Sequence, residues 1–264
     1  MTTQPIILAP SAEPVDKPIR VGLLGPLHVC GGPGPSAKKE RQTLALLALN
    51  PGAFVSVTDL IWELWVGKPP RQVAQSVQTY VMYLRRIPDL VIETRPRGYA
   101  LAAEPFEVDA LRFTAYVGQA HRQLAEGRLL VAQDTLTAAF SLWRGQALSE
   151  VECGPLLTAH REALDDARRT ALGLRWELAL RAGRHREIVD DLAAEVRLDP
   201  AREDIAAKLM VALYRCNRRA DALRVFHAVR AVLVEEYGLE PCPALQRLQG
   251  QILAGDPSLE LNAE

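Results

Sequence analysis

The sequence predicts a small α+β domain followed by an all-α domain. Short apolar segments flank three helical stretches within the first hundred residues, and an arginine-containing turn follows the third stretch. After Pro105 the sequence becomes rich in alanine, leucine and arginine, with proline and glycine near helix ends. We expect a flexible tail at residues 1–18, the α+β domain at 19–104, the helical domain at 105–254 and a second flexible tail at 255–264.

Composition allows two domains and indicates different partners for them. The chain has 264 residues, of which 48% are hydrophobic and 24% charged, enough to build more than one core. Residues 1–104 hold 11 basic and 8 acidic side chains, and the remainder holds 20 and 24, so the net charges are +3 and −4. This asymmetry suits a basic module that faces nucleic acid and an acidic one that faces a protein partner.

Sequence patterns for catalysis, metal binding and membrane insertion are missing. The four cysteines form no CxxC pair or zinc-finger spacing, the five histidines are scattered, and no P-loop, HExxH or nucleophile elbow occurs. No secretory leader and no run of 18 apolar residues is present. We therefore expect a cytoplasmic protein that is not an enzyme and has no metal site, no cofactor and no membrane partner.

The α+β domain begins with an apolar segment and a helix. Residues 19–29 are bounded by Pro18 and a glycine- and proline-rich turn at 31–35, which predicts a strand that starts an N-terminal sheet. Ser36 is a candidate N-cap for the first helix. This helix should end at Asn50-Pro51-Gly52, and its buried stripe comprises Leu44, Leu47 and Ala48.

A second helix is predicted at residues 59–65, with Ser56 and Thr58 as candidate N-caps. Aromatic side chains at helical spacing usually pack inward, so Trp62 and Trp65 are expected in the core. Two consecutive prolines at 69 and 70 must end the helix.

The third helix, at residues 71–87, has two distinct faces. Val73, Val77, Tyr80, Val81 and Leu84 share one face at 100° per residue. The other face carries side chains that suit base recognition, since glutamine can pair bidentately with adenine in the major groove. An ordinary solvated helix face is the competing interpretation. The base-reading candidates are Gln72, Gln75, Gln78, Thr79, Met82 and Tyr83.

A β-hairpin follows the third helix and completes a winged helix-turn-helix. Residues 91–94 and 99–101 are strand-like, and Arg95-Pro96-Arg97-Gly98 between them predicts a turn with two guanidinium groups at its tip. This fold places one helix in the major groove and the wing against the flanking backbone. Five to eight phosphate contacts would make binding steeply salt-dependent, although any single cation is as readily an ordinary surface charge. The phosphate or minor-groove candidates are Lys38, Lys39, Arg41, Arg71, Arg85, Arg86, Arg95 and Arg97.

An internal repeat organises the helical domain. Gly183-Arg184 with Ile188 and Leu192 matches Asn217-Arg218 with Ala222 and Phe226 at an offset of 34 residues, the tetratricopeptide period. Gly127-Arg128 with Ala132 and Leu136 has the same internal spacing. The domain is therefore predicted to consist of tetratricopeptide-like helical hairpins.

The order of several short motifs resembles the Streptomyces antibiotic regulatory protein family. Those of the first domain lie at residues 21–27, at 39 with 46–50, at 57–65, at 78–81 with 84–86, and at 94–96 with 98–99. The second domain resembles the bacterial transcriptional activation domain of this family at residues 109–113, 138–143 and 235–241. The resemblance covers residues 19–253 and matches the small, stand-alone class of the family.

The resemblance implies an activator of a secondary-metabolite (antibiotic) gene cluster, with a winged helix of the response-regulator output type. Such a protein is bacterial and nucleoid-associated, and it binds direct repeats in double-stranded promoter DNA near the −35 element, as a homodimer or side-by-side pair. It recruits the RNA polymerase holoenzyme through the σ factor, and the polymerase β chain and the C-terminal domain of the polymerase α chain are further contacts. The implied polymerase-contact candidates are Trp65, Val66, Gly67 and Lys68, with Lys68 favoured. A helical-repeat adaptor and a ligand-responsive repressor are the alternatives.

Overall fold

The computed structural model describes residues 17–31, 34–67 and 69–260, and the chain forms two compact units that divide at Ala171 and Leu172. The division lies inside one long helix. The expected domain boundary between residues 104 and 105 falls inside the first unit, because the first helices that follow it pack on the α+β domain. The boundary between residues 104 and 105 therefore stays a prediction.

The first unit begins with a winged helix-turn-helix. Three helices pack against a sheet whose strand order is β3-β5-β4, with both pairs antiparallel, and a separate two-stranded antiparallel sheet precedes them. The predicted α+β class is confirmed. Its elements are β1 (Val21–Gly22), β2 (His28–Val29), α1 (Lys38–Ala48), β3 (Val55–Ser56), α2 (Val57–Leu64), α3 (Val73–Leu84), β4 (Ile92–Arg95) and β5 (Gly98–Leu101).

Two local predictions for this region are wrong, and one is confirmed. The predicted N-terminal sheet is present, but residues 19–29 form two short strands and not one, since the chain bends between them at Gly25, whose φ is 147°. Ala37, not Ser36, caps α1, and it does so without a side-chain hydrogen bond. Ser56 caps α2 as predicted, since its hydroxyl accepts from the Asp59 amide at 3.0 Å.

Helices account for the regular structure described after Leu101. The regular helices are α4 (Asp109–Ala125), α5 (Leu129–Ser141), α6 (Pro155–Arg181), α7 (Val189–Leu198), α8 (Glu203–Arg215), α9 (Arg219–Val232) and α10 (Pro243–Ala254). Short 3-10 turns occur at Pro105–Glu107, His185–Ile188 and Pro257–Leu259, and a π-helical turn at Leu233–Tyr237 extends α9. None of the described helices is long and apolar enough to cross a membrane.

The predicted helical hairpins share one turn geometry. Gly127, Gly183 and Asn217 adopt positive φ values of 74°, 72° and 60° after α4, α6 and α8. In each case the amide of the following arginine bonds to the carbonyl five residues earlier, at 2.8–2.9 Å, as in a Schellman motif. The repeated Gly/Asn-Arg pair is therefore the end of a helix and the start of the next.

The second unit has its own apolar core. Trp176, Met210 and Phe226 are buried in a cluster to which α6 to α10 contribute. Pro257–Leu259, which the sequence assigned to a flexible tail, packs on this cluster: Leu259 is buried, and its carbonyl accepts from Arg215 Nε at 2.7 Å. The remaining tail residues, 1–16 and 261–264, lie outside the described residues.

Candidate nucleic-acid interface

Helix α3 presents a polar face outward. Val77, Val81 and Leu84 are buried on its inner side, which fixes the opposite side toward solvent. Thr79 is half-buried, and its hydroxyl donates to the Gln75 carbonyl at 3.0 Å, leaving its oxygen free to accept another bond. The exposed candidates on this face are Gln75, Gln78, Met82 and Tyr83, while Gln72, also exposed, is the N-cap residue that precedes the helix.

The connector between α2 and α3 comprises residues 65–72, of which the structure describes all but Lys68. Trp65 is half-buried and stacks on Tyr80, with ring centroids 6.3 Å apart. Val66 is 79% exposed, and Gly67 is also exposed with a φ of 113°. Lys68, the favoured polymerase-contact candidate, lies outside the described residues.

The prediction that Trp62 belongs to the core is wrong, since its side chain is 55% exposed. The inner face of the short helix α2 is taken by Leu60, Glu63 and Leu64, which are buried. At 100° per residue, Trp62 points away from these three positions. Trp62 and Val66 thus place exposed apolar surface at the end of α2 and the start of the connector.

The wing is a hairpin with a two-residue turn at Pro96 and Arg97. Arg97 is exposed and has a φ of 67°, and its carbonyl accepts from the Val57 amide at 2.9 Å. A side chain at Gly98 would place Cβ 2.2 Å from the Val55 carbonyl, so this strand start requires glycine. The wing tip is therefore fixed to the first residue of α2. One of the two predicted tip cations, Arg95, forms an ion pair with Glu93 at 2.5 Å.

Besides Arg95, three of the predicted phosphate-binding cations are engaged in bonds within the protein. Arg85 donates from Nε and Nη2 to the Ile92 carbonyl, at 2.9 and 2.7 Å, and from Nη2 to Thr94 Oγ1 at 2.8 Å, which joins α3 to the wing. Lys39 donates to the Leu64 carbonyl at the end of α2. Arg41 donates to the carbonyls of Pro35, Ser36 and Glu150.

The other cations project from the surface. Lys38, Arg71, Arg86 and Arg97 are exposed, and none makes a side-chain hydrogen bond or ion pair with another described residue. Arg86 lies over the Tyr83 ring, 5.0 Å from its centroid. In the sequence, Lys38 and Arg71 precede α3, and Arg86 and Arg97 follow it.

Two buried carboxylates that we did not predict attach the following helices to the winged helix. Glu63 is 1% exposed and accepts from the amides of Gly154, Leu156 and Leu157 at 2.6, 2.8 and 3.1 Å. The spacing of three from Leu60 to Glu63, which puts an acidic residue on an inner helix face, is the signal that could have identified it.

Asp109 is the second buried carboxylate and lies at the start of α4. It accepts from the Leu23 and Leu24 amides at 2.6 and 3.1 Å and from Arg144 Nη2 at 3.1 Å. Burial raises the pKa of Asp109, and the bonds from Leu23, Leu24 and Arg144 oppose that rise. Glu63 and Asp109 explain why the first compact unit extends past residue 104.

A cavity of about 260 Å³ lies beside the Glu63 contacts. Its lining comes from α1, from the end of α2, from Trp65 and Val66 of the connector and from residues 152–154. The four cysteines are free, and no group of three His, Cys, Asp or Glu side chains within the described ranges is arranged to hold a metal ion.

Two family models match the chain. The C-terminal domain of transcriptional regulatory proteins matches residues 32–101, and the bacterial transcriptional activator domain matches residues 108–253. Together they cover the winged helix and most of the helices that follow. The fold and the two models define a transcriptional regulator.

Relatives with curated names identify the family. Regulatory protein DnrI of Streptomyces peucetius is 34% identical over 259 residues, covering 92% of this chain and 95% of the relative. Regulatory protein AfsR of Streptomyces coelicolor is 35% identical over 96% of this chain, which spans only 26% of that longer protein. Transcriptional regulator RedD of Streptomyces coelicolor is 32% identical, and 73% of its length is covered. The chain belongs to the Streptomyces antibiotic regulatory protein family.

A solved structure has the same fold. The structure of Mycobacterium tuberculosis EmbR in complex with a low-affinity phosphopeptide superposes with a TM-score of 0.82 at 31% sequence identity. The match covers 90% of this chain and 65% of the EmbR chain. The two-part architecture is therefore shared with a transcriptional regulatory protein.

Proposed function

We propose that this regulator is a sequence-specific transcriptional activator that binds direct repeats near the −35 element and recruits RNA polymerase. The outward face of α3 carries the proposal, because it sets glutamine side chains and the exposed Met82 beside a wing with a cationic tip. Family membership supports an antibiotic or other secondary-metabolite gene cluster as the target. Its promoter DNA would place the protein in the bacterial cytoplasm.

Bases are read by the exposed side chains of α3 in this proposal. The Gln75 amide can donate to N7 and accept from N6 of an adenine, and no described residue competes for its side chain. The Gln75→Ala variant should lose base preference at one position, at a cost of about 1–3 kcal/mol. Titrations with duplexes changed at each base pair in turn would measure this. Gln133→Ala on α5 is the control, and equal profiles for both variants would contradict the docking of α3.

Phosphates are held by the cations that the protein fold leaves free. Lys38, Arg71, Arg86 and Arg97 are the first choice, with Arg95 joining them if its ion pair with Glu93 opens. Four contacts correspond to a slope of about −3.6 in log affinity against log salt for one protomer. The tip position of Arg97 suits the backbone or a narrow minor groove.

Two copies are needed for operator specificity. A single helix reads only a few base pairs, so we propose a pair of protomers, head to tail, on direct repeats about one helical turn apart. The connector, with Trp65, Val66 and Gly67, is the proposed surface for the σ factor of the polymerase. The polymerase β chain and the C-terminal domain of the polymerase α chain remain further proposed contacts.

Footprinting upstream of the biosynthetic genes next to its own gene, with and without RNA polymerase, tests this proposal. We expect protection of two repeats by the protein alone and an extended footprint with polymerase. An adaptor would give no sequence-selective footprint. A repressor would give the footprint but would lower transcription by purified polymerase.

A further inference from the structure

The Glu63 carboxylate joins three helices. It lies in the last turn of α2, and two of its acceptor bonds come from Gly154 and Leu156 at the start of α6. Gln42 of α1 donates to Oε1 of the same carboxylate at 3.1 Å and to the Glu63 carbonyl at 2.9 Å. A single side chain, 1% exposed, therefore organises the end of the helix-turn-helix and the first turn of the long helix.

The position of the Glu63 carboxylate is electrostatically unfavourable for α2 but favourable for α6. An acidic side chain in the last turn of its own helix opposes the helix dipole, whereas a carboxylate at the start of another helix is favoured and satisfies its free amides. The end of α2 receives its cation from Lys39, which donates to the Leu64 carbonyl. A buried carboxylate is tolerated only when donors surround it, as they do here.

The connector starts two residues after Glu63, so this anchor fixes the direction in which the connector leaves α2. Trp62 and Val66, on either side of the anchor, are 55% and 79% exposed. We infer that Glu63 is a positioning residue for activation: it holds the end of α2, from which the connector leaves, against the start of α6, so that the promoter-bound protein presents Trp62 and Val66 to the polymerase in one fixed orientation. This inference rests on the proposed function.

The Glu63→Gln variant in the full chain tests the inference. A glutamine keeps the size of the side chain but has only one acceptor oxygen, so its NH2 group displaces either the bond from the Gly154 amide or the bonds from the Leu156 and Leu157 amides. We expect promoter affinity to stay within about twofold, because α3 and the wing are untouched, while transcription by purified polymerase falls about tenfold. Hydrogen exchange at the first turn of α6 should speed up in parallel.

Gly154→Ala provides an independent variant with all charges retained. Its Cβ would lie 2.1 Å from the Glu63 carbonyl oxygen and 2.9 Å from the carboxyl carbon, so the start of α6 must move away. It should show the same separation of promoter binding from activation. Glu152→Gln is the matched control, because Glu152 is exposed, lines the same cavity and makes only a 3.9 Å ion pair with Lys39.

The inference is supported if Glu63→Gln and Gly154→Ala keep promoter binding but lose activation, while Glu152→Gln behaves as the wild type does. If Glu63→Gln does not fold, Gly154→Ala alone decides. Wild-type transcription from the folded variants would overturn the inference, and so would a proportional loss of promoter affinity and transcription. If the unmodified protein shows no promoter preference, the proposed function fails instead.

Discussion

Arg85 and Arg86 are neighbours at the end of α3, but their guanidinium groups have different surroundings. Arg85 forms a fork on the Ile92 carbonyl and Thr94, whereas Arg86 lies over the Tyr83 ring. A lysine cannot reproduce the fork, so Arg85→Lys should lower the free energy of unfolding by about 1–2 kcal/mol. Urea denaturation measures this. The control Arg86→Lys should change stability by less than about 0.5 kcal/mol, and equal losses in both would show that the fork does not stabilise the wing.

At the wing tip, Arg97 combines a strained backbone conformation with an exposed positive charge, and substitutions can test the two effects separately. Arg97 adopts a left-handed φ of 67°, which glycine accepts without cost. Arg97→Gly should therefore leave stability unchanged or raise it by up to about 1 kcal/mol. Its affinity for operator and unrelated DNA should fall alike, with a salt slope reduced by about one.

Binding titrations at several salt concentrations, with thermal unfolding of the same samples, measure both effects of Arg97→Gly. Arg97→Lys is the control, since it keeps the charge and the left-handed strain. A full salt slope in the glycine variant would remove Arg97 from the phosphate contacts.

Single-residue environments could be predicted only where a helix is long enough to show its period. The twelve residues of α3 cover more than three turns, so the 100° spacing separates buried Val77 and Val81 from exposed Gln75. The eight residues of α2 cover little more than two turns, which is too short to show the period, and the prediction wrongly places Trp62 on the buried side. Glu63 bonds to an amide 91 residues away, and such a contact has no local pattern.

At the scale of elements, the winged helix depends on helices that follow it in sequence. A fragment of residues 1–104 would leave the Glu63 carboxylate without its α6 amides and the Leu23 and Leu24 amides without Asp109. Each buried polar group left unpaired costs about 1–3 kcal/mol. We expect a fragment of residues 1–171 to unfold cooperatively and the 1–104 fragment to lose that cooperativity.

Circular dichroism during heating, on both fragments at equal concentration, measures this difference. The 1–171 fragment ends where the first compact unit ends, so it retains every bond made by Glu63 and Asp109. Matching sharp transitions would mean that the two carboxylates are dispensable for folding of the winged helix.

Elements with strong end signals were predictable, and very short ones were not. Gly183 and Asn217, each followed by arginine, identified helical hairpins because a left-handed residue ends a helix in a recognisable way. Strands of two residues, such as Val21–Gly22 and His28–Val29, are too short to show alternation. The turn that joins them also bonds to the distant residues Asp109 and Arg144, and local sequence does not encode such contacts.

At the scale of the whole molecule, charge is distributed in agreement with the proposed roles. Residues 1–104 carry a net charge of +3 and the remainder −4, although the chain as a whole is near neutral at −1. A basic winged helix attracts the phosphate backbone, while an acidic helical part avoids it. Family and overall fold were predictable because motif order extends over most of the chain.

A titration of the full chain against two DNA duplexes tests the central proposal, that α3 reads promoter bases while the free cations hold the backbone. One duplex carries the footprinted repeats, and the other has the same bases in shuffled order. Fluorescence anisotropy at several salt concentrations should show tighter binding to the repeats throughout, with affinity falling at a log–log slope of about −3.6 per protomer. Equal affinity for the two duplexes at every ionic strength would contradict it.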